Sequence, residues 1–266
     1  MIAQSIRWLL AAVTLAAVPF GLTIATAPDD GGLKAGDALA IPVAPTENWL
    51  DAAEALMAEG RLAEAGALLS AGVDRMPDGW QPISKDGDPV VLAAWDLGEF
   101  LRFAKESDPL SGPGVVWVKP SYSKAHYLLA VIAVETGDVE SAFHQIVRAI
   151  ELQPYHPLVM HEAALILQRL GGAAEALKVL DKGDGVPGWL MTPHRRALLV
   201  RARGVTLIEL GRLDEAEGAL RASLDLEPDS AVARRELDYI AELRARGEAA
   251  REPIVLTPLT GETKNR

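Results

Sequence analysis

Between Ser123 and Glu135 the apolar residues Tyr127, Leu128, Val131, Ile132 and Val134 recur at helical spacing. Thr136-Gly137-Asp138 interrupts the pattern. Glycine suits the left-handed position at a helix C-terminus, and Asp138 supplies a cap for the next helix. That second helix is predicted over Val139–Leu152, burying Ala142, Ile146, Ala149 and Ile150 before Pro154 stops it. Ala130 on the first helix and Ala142 on the second are small enough for the pair to cross closely. The same phase occurs four times along the chain, as a glycine followed by alanine at five residues and an apolar residue at nine. The four are Gly60/Ala65/Leu69, Gly137/Ala142/Ile146, Gly171/Ala176/Leu180 and Gly211/Ala216/Leu220. Three continue to a proline at seventeen: Pro77, Pro154 and Pro228. A self-similar unit of this size predicts a solenoid of stacked helical hairpins.

The 34 residues from Ser123 to His156 resemble a tetratricopeptide repeat. That family places a small residue seven before the turn glycine, met here by Ala53, Ala130, Ala164 and Gly204. It places a bulky residue eleven before, met by Trp49, His126, Met160 and Val200. Four units fit, at 46–77, 123–156, 157–188 and 197–230. The resemblance implies an all-α fold, a right-handed superhelical solenoid of helix-turn-helix repeats; an N-terminal signal or membrane-anchor helix is expected ahead of it from the uncharged run Trp8–Ala27. It also implies that the first helix of each pair lines a concave groove. The residues so placed are Leu50, Glu54 and Met57, then Lys124, Tyr127, Val131 and Val134, then Leu158, His161, Leu165 and Gln168, and finally Arg201, Val205 and Ile208. The lysine and asparagine pairs with which some relatives clamp a terminal carboxylate are not evident. Such a wall suits an apolar partner segment, with Tyr127 and Leu165 as anchors. The alternative is that the irregular segment or the tail covers it as ordinary core.

The pattern fails in two places. From Gly171 to Gly211 is 40 residues, six more than a period, and the insertion around Trp189-Leu190-Met191 predicts a loop or an extra turn. Arg203 stands there where the family prefers leucine, which puts the packing of the last unit on its predecessor in question. Residues 78–122 read as a degenerate repeat with one helix, capped by Asp88, opened by Pro89 and running through Phe103, and ending in an extended Val115–Val118. A capping helix is expected over 230–246, closed by Gly247, and then a flexible tail over 248–266 that folds back into the chain's own groove, docks on a neighbour or stays disordered.

Only Arg7 is charged in the first 28 residues, and Trp8–Ala27 is an uncharged run followed by Asp29-Asp30. This is an export signal, read either as a cleaved signal peptide or as a signal anchor over 1–27, with 28–45 as a linker. The expected location is the periplasm, free or tethered to the inner membrane, with membrane contact only through residues 8–27. Cysteine is absent, which excludes disulfides, thiolate zinc sites and a cysteine nucleophile. The net charge of −11 repels phosphate backbones, so nucleic acid is not expected as a partner. Residues 194–251 are locally balanced, with 11 acids and 11 bases. Arg195, Arg196, Arg201 and Arg203 form a basic cluster expected to pair with interleaved acids such as Glu209 and Asp214, the alternative being an acidic partner or a lipid headgroup.

Three partial motifs carry no chemistry. His161-Glu162 begins an HExxH helix, but the fifth residue is Leu165. Gly183–Gly188 fits GxGxxG, but it follows a helix and contains Pro187. Ser84–Asp88 lacks the spacing and closing glutamate of a calcium loop. No catalytic residue, cofactor or metal is assigned. The expected function is non-catalytic protein–protein interaction as a scaffold or assembly factor in the cell envelope. The alternative is an accessory subunit of an envelope enzyme whose active site lies on another chain.

Overall fold

The computed structural model describes residues 48–85, 89–107 and 114–247. The chain divides into two compact units at Gly137–Asp138. The export segment, the linker and the tail lie outside the described residues, as does Asp88.

In the first unit, α1 (Trp49–Ala58) and α2 (Leu62–Val73) form a hairpin, and α2 packs on α4 (Tyr122–Thr136). Asn48 caps α1 by accepting the Leu50 N–H. The Trp49 ring lies against Gly72, where a Cβ would come within 2.5 Å of the ring, so only glycine admits that approach.

Residues 78–121 are not a helical pair. β1 (Ile83–Ser84) runs antiparallel to β2 (Val90–Leu92), and β2 runs parallel to β3 (Val115–Trp117), with Leu92 opposite both Ile83 and Trp117. This corrects the all-α expectation: the chain is mostly helical, with a small sheet. It also corrects the helix. α3 spans Leu97–Glu106 and is capped by Asp96, and residues 90–92 are strand. Asp96 accepts the Glu99 N–H at 2.8 Å, while the buried Glu99 carboxylate accepts the Trp95 N–H at 2.9 Å. This is a capping box shifted one residue outward. The segment Val115–Val118, expected to be extended, contains the strand Val115–Trp117.

The second unit holds α5 (Val139–Leu152), α6 (Pro157–Arg169), α7 (Ala173–Leu180), α8 (Pro193–Glu209), α9 (Leu213–Leu226) and α10 (Ala231–Arg246). Each helix packs on the next, and α6 also packs on α8. Gly60, Gly137, Gly171 and Gly211 all have φ between 71° and 79°, the left-handed region that glycine enters without penalty. After three of them the next N–H reaches back five residues: Arg61 to Leu56, Gly172 to Leu167 and Arg212 to Leu207. Two units repeat the next feature as well. Arg61 grips Glu64 with two hydrogen bonds, and Arg212 grips Glu215 in the same way.

The insertion after α7 folds as two 3-10 turns, Asp181–Gly185 and Gly188–Leu190, with Trp189 and Leu190 buried. Arg203 pairs with Asp181 at 2.9 Å. The insertion therefore supplies the acid for the arginine that replaces the expected leucine, and α7 still packs on α8.

Candidate functional site

The first-unit part of the expected groove is not an open wall. Leu50, Met57, Tyr127, Val131 and Val134 are all buried. The Trp95 ring lies 5.1 Å from that of Tyr127, and its indole N–H donates to Ser123 Oγ at 3.1 Å. Lys124 is half-buried, paired with Glu54 at 2.7 Å and donating to the Trp95 carbonyl at 3.2 Å. Trp117 donates its indole N–H to Ala94 O, stacks on Phe100 and carries the Lys119 ammonium over its ring. The irregular segment thus fastens itself over the first helix of the repeat. Tyr127 is a core residue here, which corrects its reading as an anchor.

In the second unit, α6 and α8 both begin with proline at the first turn, which fixes their start points. Thr192 caps α8 by accepting the Arg195 N–H. Helical spacing places His161, Leu165 and Gln168 along one side of α6, and His194, Arg201 and Val205 along one side of α8. Glu227, just past α9, is held by two side chains of α8. Its carboxylate takes Arg201 at 2.9 Å through one oxygen and His194 Nδ1 through the other. Burial pushes the Glu227 carboxyl up, but hydrogen bonds from Arg201 and His194 outweigh that and hold it below the usual carboxylate range.

His161 is buried, and its Nδ1 has no hydrogen-bond partner among the described residues. Burial, together with the nearby Arg201 and His194, pulls its pKa down to about 3, so the imidazole is neutral at physiological pH. Leu165 and Val205, one turn beyond His161 and Arg201, are only half-buried, and Gln168 is buried. The result is a face with a polar end, from His161 to Glu227, and an apolar end at Leu165 and Val205.

The arginine cluster pairs differently from expectation. Arg201 and Arg203 take Glu227 and Asp181, Asp214 goes to Arg244, and the buried Arg195 donates to the Leu190 carbonyl. Glu227 and Asp181 stand at the ends of neighbouring helices, where distance along the sequence gives no sign of the pairing. A second feature lies between α7, the insertion and α8. It is a cleft of about 370 Å³ lined by Leu180, Asp181, Asp184, Met191, Arg196, Leu199, Val200 and Arg203. Among the described residues no group of three or more His, Asp or Glu side chains is placed to hold a metal ion.

Antiparallel helical hairpins closed by left-handed glycines, each with an alanine or glycine at the crossing, define a helical-repeat protein. The tetratricopeptide repeat family model matches residues 123–156 and 202–230, two of the hairpin segments described above. No curated protein matches it in sequence. Among solved structures, the first TPR domain of the human RPAP3 protein is similar at 20% identity, over 47% of this chain and 93% of that one, with a TM-score of 0.42. The first TPR of Spaghetti (RPAP3), bound to an HSP90 peptide, is similar at 20% identity over 46% and 93%, with a TM-score of 0.41. YrrB, described as a TPR protein with an unusual peptide-binding site, is similar at 16% identity over 71% and 90%, with a TM-score of 0.39.

Proposed function

We propose that this chain is a non-catalytic binding protein that holds a segment of a partner protein on the α6–α8 face of its second unit. The observation that carries this reading is the half-exposed pair Leu165 and Val205 beside the polar group of His161, Arg201 and Glu227. An apolar partner side chain would rest on Leu165 and Val205. A hydrogen-bonding neighbour in the same segment would meet Arg201 and Glu227. Burying an apolar contact beside a few fixed polar groups is the usual division between affinity and specificity.

The location proposed is the cell envelope, in the periplasm or tethered to the inner membrane, and its support is the uncharged run at residues 8–27. Among the described residues no helix is long and apolar enough to cross a membrane; residues 8–27 lie outside them. The test of function replaces Leu165 and Val205 with glutamate. Both side chains are partly exposed, so the fold tolerates the change, and the partner recovered by crosslinked pull-down from the native host should disappear. Undiminished recovery would count against this face.

A further inference from the structure

The small sheet of the first unit ends in an open edge. Gly114 O accepts the Val90 N–H at 2.8 Å, and the Val118 N–H donates to Leu92 O at 2.9 Å, so β3 turns residues 114, 116 and 118 toward β2. Backbone groups alternate sides along a strand, so the backbone N–H and C=O of Val115 and Trp117 point away from β2. Among the described residues these outward groups have no hydrogen-bond partner. Val115, Val116 and Trp117 are only half-buried, and buried backbone groups are nearly always paired, so this edge meets solvent. Folded proteins commonly blunt such an edge with a lysine. Here the candidate, Lys119, is drawn aside. Its ammonium donates to both oxygens of Asp51, at 2.9 and 2.7 Å, and lies 5.2 Å over the Trp117 ring.

We propose that this edge pairs with the β3 edge of a second copy of the chain. An open row of alternating N–H and C=O groups is satisfied in register only by another extended backbone. The strand it favours is β-branched or aromatic, with its own outward groups free, and Val115-Val116-Trp117 is such a strand. Antiparallel pairing about a twofold axis at Val116 sets Val115 of each copy opposite Trp117 of the other. Each of those pairs exchanges two hydrogen bonds, so every outward N–H and C=O finds a partner. Val116 meets the partner's Val116 across the axis as a cross-strand apolar contact. The two sheets then continue into one another. So short a seam makes a weak, reversible dimer.

The experiment is sedimentation equilibrium of the full chain over a range reaching about 1 mM, because small interfaces form only transiently. The mass should rise from monomer toward dimer with concentration. Val115→Pro removes one outward N–H per copy and no bond to β2, and proline is tolerated on an edge strand. It deletes half of the seam hydrogen bonds and sets a ring against the partner strand, so self-association should weaken at least about tenfold. Amide exchange resolved by residue gives a second reading that needs no variant. Exchange at Val115 and Trp117 should slow as concentration rises, while Val116 and Val118 are slow throughout. A chain that stays monomeric to the top of the range overturns the proposal. So does a dimer that Val115→Pro leaves intact, which places the seam elsewhere. Protection of Val115 and Trp117 that is already full at the lowest concentration also overturns it, by assigning the edge to a contact within one chain. Leu165→Glu lies in the second unit and leaves all these readings unchanged, so failure here is separate from failure of the partner face.

Discussion

Arg203 and His161 each break a local rule, and each break has an identifiable compensation. Arg203 stands at a helix-packing position, and the insertion brings Asp181 to it at 2.9 Å. His161 is a buried imidazole held neutral by burial first, and then by the neighbouring Arg201 and His194. Because its folded pKa lies below the unfolded value near 6.5, the unfolded chain takes up a proton that the folded chain refuses. The resulting penalty is absent well above pH 6.5 and grows as pH falls below it toward the folded value. Lowering the pH from 7 to 5 should cost the second unit about 2 kcal/mol, and His161→Gln should remove that share of the slope in urea titrations at the two pH values. Gly204 is a steric case: an added Cβ would sit 2.7 Å from Leu220 Cγ and 3.3 Å from the Ala216 carbonyl. Gly204→Ala should therefore lower stability by about 1–3 kcal/mol in chemical denaturation, and an unchanged midpoint would refute the crossing geometry.

Helices and strands were legible to different degrees. The hairpins could be read because a left-handed glycine, a small crossing residue and a terminating proline are each required by backbone or packing geometry. Ala216, fully buried where α8 and α9 meet, makes the point: Ala216→Leu should separate the pair at a cost of about 1–3 kcal/mol, read as a fall in melting temperature. The sheet could not be read from periodicity. Its strands are two or three residues long, too short for alternation to show, and Val90-Val91-Leu92 runs straight on toward Trp95 as an apolar stretch. Asp88-Pro89 imitates a helix start, while the true start is marked by Asp96 with Glu99 three residues on. Glu99→Ala removes the acceptor of the buried Trp95 N–H and should cost about 1–3 kcal/mol, with exchange rising first in α3. Part of the site was hidden for the same reason. Nothing in the repeat phase indicates that Trp95 turns back over Tyr127, whereas Leu165, Arg201 and Val205 follow directly from that phase.

For the whole chain, regular repeats and the two departures divide the work. The regular hairpins of the second unit build the α6–α8 face, and the insertion builds the separate cleft behind it. In the first unit the irregular segment closes over its own helix and leaves Lys124 and Tyr127 inside. The proposed envelope location makes a further prediction. Mass spectrometry of the protein from its native host should find it in the envelope fraction, with either an N-terminus near Pro28 or the intact uncharged segment. The central claim is tested most directly by site-specific photocrosslinking in living cells, with the reactive side chain placed in turn at Leu165, Val205 and Arg148. Arg148 lies on the exposed surface of α5 and serves as the reference. The account predicts one discrete crosslinked adduct from Leu165 and Val205, lost when Arg201 is changed to glutamate, and none from Arg148. Adducts from Arg148 alone, or equal adducts from all three positions, would contradict it.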